Sequence, residues 1–143
     1  MRGLIPRTGD WRNIKARRVS WDRYNEARND MTRCFYTDGE EMANGVHTGR
    51  MELWEIDHSD WTFKRSWAII EVMQGMLFVW CYAGHDSKGF IEFCRHIARG
   101  NRLAQVSFFS RHKGARRMWK HCNPRMIPTN VPDEVQYVFE VPA

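Results

Sequence analysis

The chain has 143 residues, 43% hydrophobic and 27% charged, with a formal net charge of +5. That length suits one domain with a sizeable core, and the balance excludes wholesale disorder. The longest apolar run, Met76 to Ala83, is far too short for a bilayer, so no membrane span is expected.

In chain order, residues 1–19 read as a basic, irregular arm carrying Arg2, Arg7, Arg12, Lys15, Arg17 and Arg18, ahead of a domain over 20–143. Such an arm is either a solvated tail or an anion-binding or assembly segment, with Trp11 and Ile14 able to dock part of it. Ser20 suits an N-cap with Asp22 in the first turn. Trp21, Tyr24, Ala27, Met31 and Phe35 keep helical spacing, so a helix of about four turns is predicted. Residues 37–49, TDGEEMANGVHTG, read as loop. Met51–Ile56 is a short β-prone stretch. Trp67–Met73 and Met76–Tyr82 flank Gln74-Gly75 as a tight hairpin, and the apolar run MLFVWCY suits a central strand covered on both faces.

Beyond Gly84 the period becomes helical. Ser87 is the predicted N-cap, Phe90, Ile91, Cys94, Ile97 and Ala98 mark one face, and Gly100 stops the helix. Leu103–Phe109 reads as a strand and His112–Cys122 as a basic helix with Ala115, Met118, Trp119 and Cys122 on its apolar face. Pro124, Pro128 and Pro132 impose a loop before Glu134–Val141, where apolar and other residues alternate. The fold class is therefore α/β (α+β), a single domain whose central mixed sheet is flanked by helices.

Four cysteines, Cys34, Cys81, Cys94 and Cys122, are widely spaced and read as buried free thiols of a reducing compartment. No metal is expected, since His121 and Cys122 lack near partners for zinc. The N-terminus has charge and Pro6 where a signal peptide needs an apolar stretch, which points to the cytoplasm or to something assembled there. The positive charge permits an anionic partner such as nucleic acid. Lys113, Arg116, Arg117 and Lys120 on the last helix, with Arg95 and Arg99 on the preceding one, are the candidate phosphate contacts. Their alternative is a solvated helix face.

The order of elements from Met51 to Val141 resembles the GNAT (Gcn5-related N-acetyltransferase) fold. In that family the fourth strand leads into a phosphate-binding turn and helix, and here MLFVWCY and GHDSKGFIEF stand in those places. The family's turn pattern is Arg or Gln, two residues, Gly, any residue, then Gly or Ala. Overlaid on Asp86, Gly89 and Ile91, only the glycine matches. Asp86 would repel phosphates, while His85 and Lys88 would compensate in part. Should acetyl-CoA bind, the resemblance puts Ser87, Lys88, Gly89 and Phe90 on its pyrophosphate and the backbone of Cys81 and Tyr82 on its thioester. In many members the last helix reads Asn, two residues, Ala, three residues, Tyr, the Tyr protonating the departing thiolate. Here Ala115 matches, but His112 and Trp119 replace the Asn and Tyr, and an indole is no acid near neutral pH. Tyr82, Cys81 or His112 would have to act instead. Glu71 is the candidate base, its alternative being a strand-end carboxylate facing solvent.

The short chain, aromatic strands and altered turn look most like small bacteriophage versions, such as internal virion proteins of short-tailed phages. The resemblance thus implies a catalytically degenerate structural or nucleic-acid-associated component of a phage-type particle. It would lack a cofactor and assemble with other proteins or with its own copies, in the cytoplasm or within a virion. The alternative is an active N-acyltransferase that uses acetyl-CoA. A third class, an inhibitor of a host enzyme, has only candidate exposed aromatics such as Trp11 and Trp61. The discriminating feature is whether the strand before Gly84 splays from Leu103–Phe109, and whether Trp119 fills the gap.

Overall fold

The computed structural model describes residues 8–11, 14–31, 39–58, 61–73, 75–84, 87–111 and 115–141. The strands are β1 (Thr8–Trp11), β2 (Ile14–Val19), β3 (Glu52–His58), β4 (Trp61–Met73), β5 (Met76–Ala83), β6 (Gln105–Ser110), β7 (Arg125–Pro128) and β8 (Val135–Glu140). The helices are α1 (Tyr24–Asp30), α2 (Gly39–Thr48), α3 (Ser87–Gly100) and α4 (Ala115–Trp119). All eight strands form one sheet in the order β1-β2-β3-β4-β5-β6-β8-β7, confirming a central mixed sheet. Every pairing is antiparallel except β5 with β6, which α3 connects. No helix among the described residues is long and apolar enough to cross a membrane.

Side-chain alternation along the strands splits the core into two layers. Ile69, Leu53, Trp67 and Cys81 pack with Tyr24, Ala27 and Met31 of α1 and its C-terminal end, and with Met42 and Val46 of α2. Ile70, Ala68, Leu77, Val106, Phe108 and Phe139 face the other way, onto Phe90, Ile91, Cys94 and Ile97 of α3 and onto Ala115 and Trp119 of α4. The predicted apolar faces of both C-terminal helices are thus buried where their side chains are described. The hairpin joining β4 to β5 also holds, with Met73 opposite Met76 and Gly75 at φ 73°, a conformation that favours glycine.

Four local expectations are corrected. Residues 8–11 and 14–19 are strands rather than an irregular arm. Arg17 lies opposite Glu55 and Arg18 reaches Glu52 at 3.7 Å, so charges that look solvated in the sequence are matched by the neighbouring strand. The stretch read as loop contains α2, where Met42 and Val46 share one buried face and Glu40 and Glu41 suit the first turn. The first helix is shorter than four turns: a 3₁₀ turn over Trp21–Arg23 leads into seven α-helical residues, and Phe35 lies outside the described residues. Within the proline-rich segment Arg125–Pro128 pairs with β8 at the rim of the sheet, where Pro128 sacrifices no interior ladder bond.

Candidate functional site

The parallel pairing of β5 with β6 runs from Met76–Gln105 to Val79–Phe108 and stops there, although β5 continues to Ala83 and β6 to Ser110. At the same level the β4–β5 register shifts, with Ile70 opposite Val79 but Ile69 opposite Cys81. Trp80 is the extra residue, and such a bulge bends its strand and breaks its alternation. Leu77 and Val79 face α3; past the bulge Cys81 joins the α1–α2 layer, and Tyr82 packs against the α3 layer. The two strands therefore part directly before the first turn of α3.

Aromatic rings line the α3 side of this gap. Tyr82 stacks on Phe90 with centroids 3.9 Å apart and planes 9° apart. Trp119 is only 7% exposed and meets Phe108 at 4.9 Å, Phe90 at 6.3 Å and Tyr82 at 6.4 Å. Phe108 in turn stacks on Tyr137 at 5.2 Å. The indole that replaces the expected phenol is a packed member of this cluster. A β-carbon at Gly84 would overlap the Tyr82 ring, so only glycine lets the ring fold back over the end of the strand.

On the opposite face stands Glu71, level with Phe78 in the β4–β5 register. Its alternative reading as a solvent-facing strand-end carboxylate is corrected, because Glu71 is buried. Trp80 Nε1 donates to Glu71 Oε1 at 2.9 Å, while Oε2 lies 3.9 Å from Arg50 Nη1. Glu71 and Tyr82 thus approach the parting strands from opposite sides of the sheet. Cys81 turns its thiol to Met31, Sγ to Sδ 3.6 Å, within the α1–α2 layer.

The α3 helix starts at Ser87, and a helix N-terminus is in general receptive to anions. Gly89 and Phe90 are buried at this turn. The side chains of His85, Asp86, Ser87 and Lys88 lie outside the described residues, as do His112, Lys113 and the side chain of Arg116. Arg117, Lys120 and Arg99 are exposed. Arg95 is half-buried, pairs with Glu92 at 3.2 Å and lies over the Phe139 ring at 5.6 Å. Cys81, Cys94 and Cys122 are buried free thiols, as expected, and Cys34 lies outside the described residues. Burial pushes the Cys94 thiol well up and raises that of Cys122 to about 11, so both stay protonated at neutral pH.

Two features were missed in the sequence. The Trp80 bulge gives no signal, because every residue of MLFVWCYA is compatible with either face. The other is a charge network in which Glu55, buried on β3, receives Arg23 at 3.0 Å and is also bonded by Arg17. Arg23 further donates to Glu26 at 2.7 Å and lies over the Trp67 ring at 5.4 Å, and Trp67 Nε1 donates to Asp30 at 2.7 Å. Opposite charge patterns in IKARRV and ELWEID were its available signal.

No protein-family model matches the sequence, and no curated protein matches it. Solved structures do. A probable acetyltransferase from Staphylococcus epidermidis superposes with a TM-score of 0.65 at 7% identity, over 90% of this chain and 99% of that one. The ribosomal-protein-S18-alanine N-acetyltransferase from Escherichia coli gives 0.63 at 9% identity, covering 90% and 94%. A ribosomal L7/L12 α-N-protein acetyltransferase in complex with coenzyme A gives 0.59 at 9% identity, covering 91% and 95%. The similarity extends nearly end to end in each case while the side chains have diverged. The chain therefore has the GNAT fold, a single α/β domain whose mixed sheet parts between β5 and β6 in front of α3.

Proposed function

We propose that this chain is an acyl-CoA-dependent N-acyltransferase, with its acyl donor held between β5 and β6. The observation that carries this reading is the parting of these strands at the Trp80 bulge, immediately before the first turn of α3. Cys81 and Tyr82 lie beyond the last residue pair joining β5 to β6, so their backbone suits the amide-bearing arm of an acyl-CoA. The first-turn amides of Ser87, Lys88, Gly89 and Phe90 suit its pyrophosphate. These residues fit the group, and when bound it would supply an acyl thioester. Glu71 is assigned the acceptance of a proton from the incoming amine. The return of a proton is assigned to Tyr82, which lies on the α3 side of the sheet, or to His112.

Calorimetric titration of the full chain with acetyl-CoA tests the proposal. A Kd on the order of micromolar is expected, followed by release of free thiol when an amine is added. Absence of heat at millimolar acetyl-CoA would reject it.

The packing of Trp119 favours a second reading, in which the fold is kept and transfer is lost. The protein would then be a structural or nucleic-acid-associated component, of the phage type or another, with Arg117, Lys120 and Arg99 as contacts and other proteins or copies as partners. That reading expects no acetyl-CoA binding and DNA binding that weakens steeply as salt rises.

A further inference from the structure

One backbone irregularity serves two purposes in this sheet. The β4–β5 ladder pairs Glu71 with Phe78, Ile70 with Val79 and then Ile69 with Cys81, so Trp80 has no opposite residue. In an unbroken ladder Trp80 would stand opposite Ile69, two residues along β4 from Glu71. The bulge gives that place to Cys81 and leaves Trp80 between the levels of Ile69 and Ile70. The parallel pairing of β5 with β6 also ends at Val79, the residue before Trp80. The residue at which the strands part is therefore the residue aimed at the carboxylate.

Its indole makes the directional contact. Trp80 Nε1 donates to Glu71 Oε1 at 2.9 Å, and Glu71 is only 8% exposed, so little water competes for that oxygen. Arg50 approaches Oε2 at 3.9 Å, where it balances charge but lies beyond hydrogen-bonding distance. The Arg50 side chain is 43% exposed and is shared with Glu41 at 3.2 Å, so solvent weakens its hold. The Trp80 ring is braced in turn. Phe78 meets it edge-on with centroids 5.1 Å apart, and the ring packs on the α1–α2 layer. A braced donor restricts rotation of the carboxylate, and a hydrogen bond to a charged acceptor is stronger than one between neutral groups.

We propose that Trp80 is a positioning residue for acyl transfer, its indole N–H fixing the Glu71 carboxylate with respect to the parted strands. The role rests on the acyltransferase reading, in which Glu71 accepts the amine proton, and Trp80 acts through Glu71 rather than on the reacting atoms. The bulge that opens the donor seam thus also orients the base beside it.

The test compares the full chain with Trp80→Phe, which keeps a ring and removes the donor, in amine-dependent release of free thiol from acetyl-CoA. The expected result is a kcat lowered by about tenfold, with the KM for acetyl-CoA changed by less than about twofold. In a Glu71→Gln background, Trp80→Phe should lower kcat no further. A merely structural role would raise the KM or slow both backgrounds alike; either result, or an unchanged kcat, overturns the proposal. The tether itself is read without turnover, from solvent exchange of the Trp80 indole N–H in NMR, assigned by its through-space contacts to Phe78. That exchange should be at least about tenfold faster in Glu71→Ala, whose thermal melt checks that it stays folded. Equal exchange in the two proteins overturns the proposal, even where Trp80→Phe fails to fold. Failure of the acyltransferase reading looks different. No heat and no thiol release with acetyl-CoA, alongside a protected indole, rejects acyl transfer and with it the role of Trp80, leaving the tether as packing. Thiol release with an indole that exchanges freely rejects the role of Trp80 alone.

Discussion

A β-carbon at Gly84 would collide with the Tyr82 ring, and that ring is also the one stacked on Phe90 at the edge of the gap. Gly84→Ala must therefore either displace the ring or shift the strand end, at a cost of about 1–3 kcal/mol. In a Tyr82→Ala background the obstacle is gone, so the same substitution should cost far less. Urea unfolding of the two single variants and the double variant measures this coupling, and additive losses would show that the collision is relieved elsewhere. Trp119 poses a chemical question at a similarly confined position. Trp119→Tyr puts a phenol where the resemblance expects an acid, within a cluster that still offers Phe108 and Phe90 as neighbours. If an acid is what the site lacks, amine-dependent thiol release from acetyl-CoA should rise by about tenfold or more. An unchanged rate would mean that the proton is returned by another group.

The Glu55 network shows how the N-terminal elements are held together. Burial alone would push the Glu55 carboxyl up, but hydrogen bonds from Arg23 and Arg17 outweigh it and hold the group below its ordinary value of 4.5. A depressed carboxylate contributes stability above its unfolded-state value and loses it as pH falls through the folded one. Wild-type stability should therefore decline more steeply below about pH 4.5 than that of Glu55→Gln. At pH 7 the variant should be less stable by about 2 kcal/mol, since it leaves Arg23 and Arg17 without their buried partner. Denaturant midpoints across pH 3–7 check both statements, and parallel acid limbs would contradict them. This network also shows what sequence alone conveyed. The clean alternation around Tyr137 and Phe139, the helical period of Phe90, Cys94 and Ile97, and the turn at Gly75 identified their elements without tertiary help. The strand nature of Arg17 and Arg18 did not emerge, because their charges make sense only beside β3. Gly39, Gly45 and Gly49 concealed α2, which depends on burying Met42 and Val46 rather than on propensity. Glu71 was found as a residue, while its burial was not, because that follows from the bulge at Trp80 across the hairpin.

The sheet is continuous in hydrogen bonding but unequal along its width. β4 and β5 are joined at seven residue pairs and β6 and β8 at six, whereas β5 and β6 share only four. The seam between the antiparallel half and the β6–β8–β7 half is thus the weakest ladder in the sheet interior, spanned on one face by α3 and by the Trp119 cluster. A donor seated there would touch the end of β5 and the start of α3, adding contacts where the sheet has fewest. Anything that binds only the folded chain stabilises it by mass action, by about 2.7 kcal/mol at one hundred times its Kd. For a domain of this size that corresponds to a rise in Tm of roughly 8 °C. Thermal unfolding with and without acetyl-CoA should show this rise, and amide exchange should slow most at Trp80–Ala83 and Phe109–Ser110. Slowing spread evenly over all strands would instead fit a ligand that binds away from the seam, and an unchanged Tm at millimolar acetyl-CoA would leave the divergence of β5 and β6 as inherited architecture whose chemistry has been closed by Trp119.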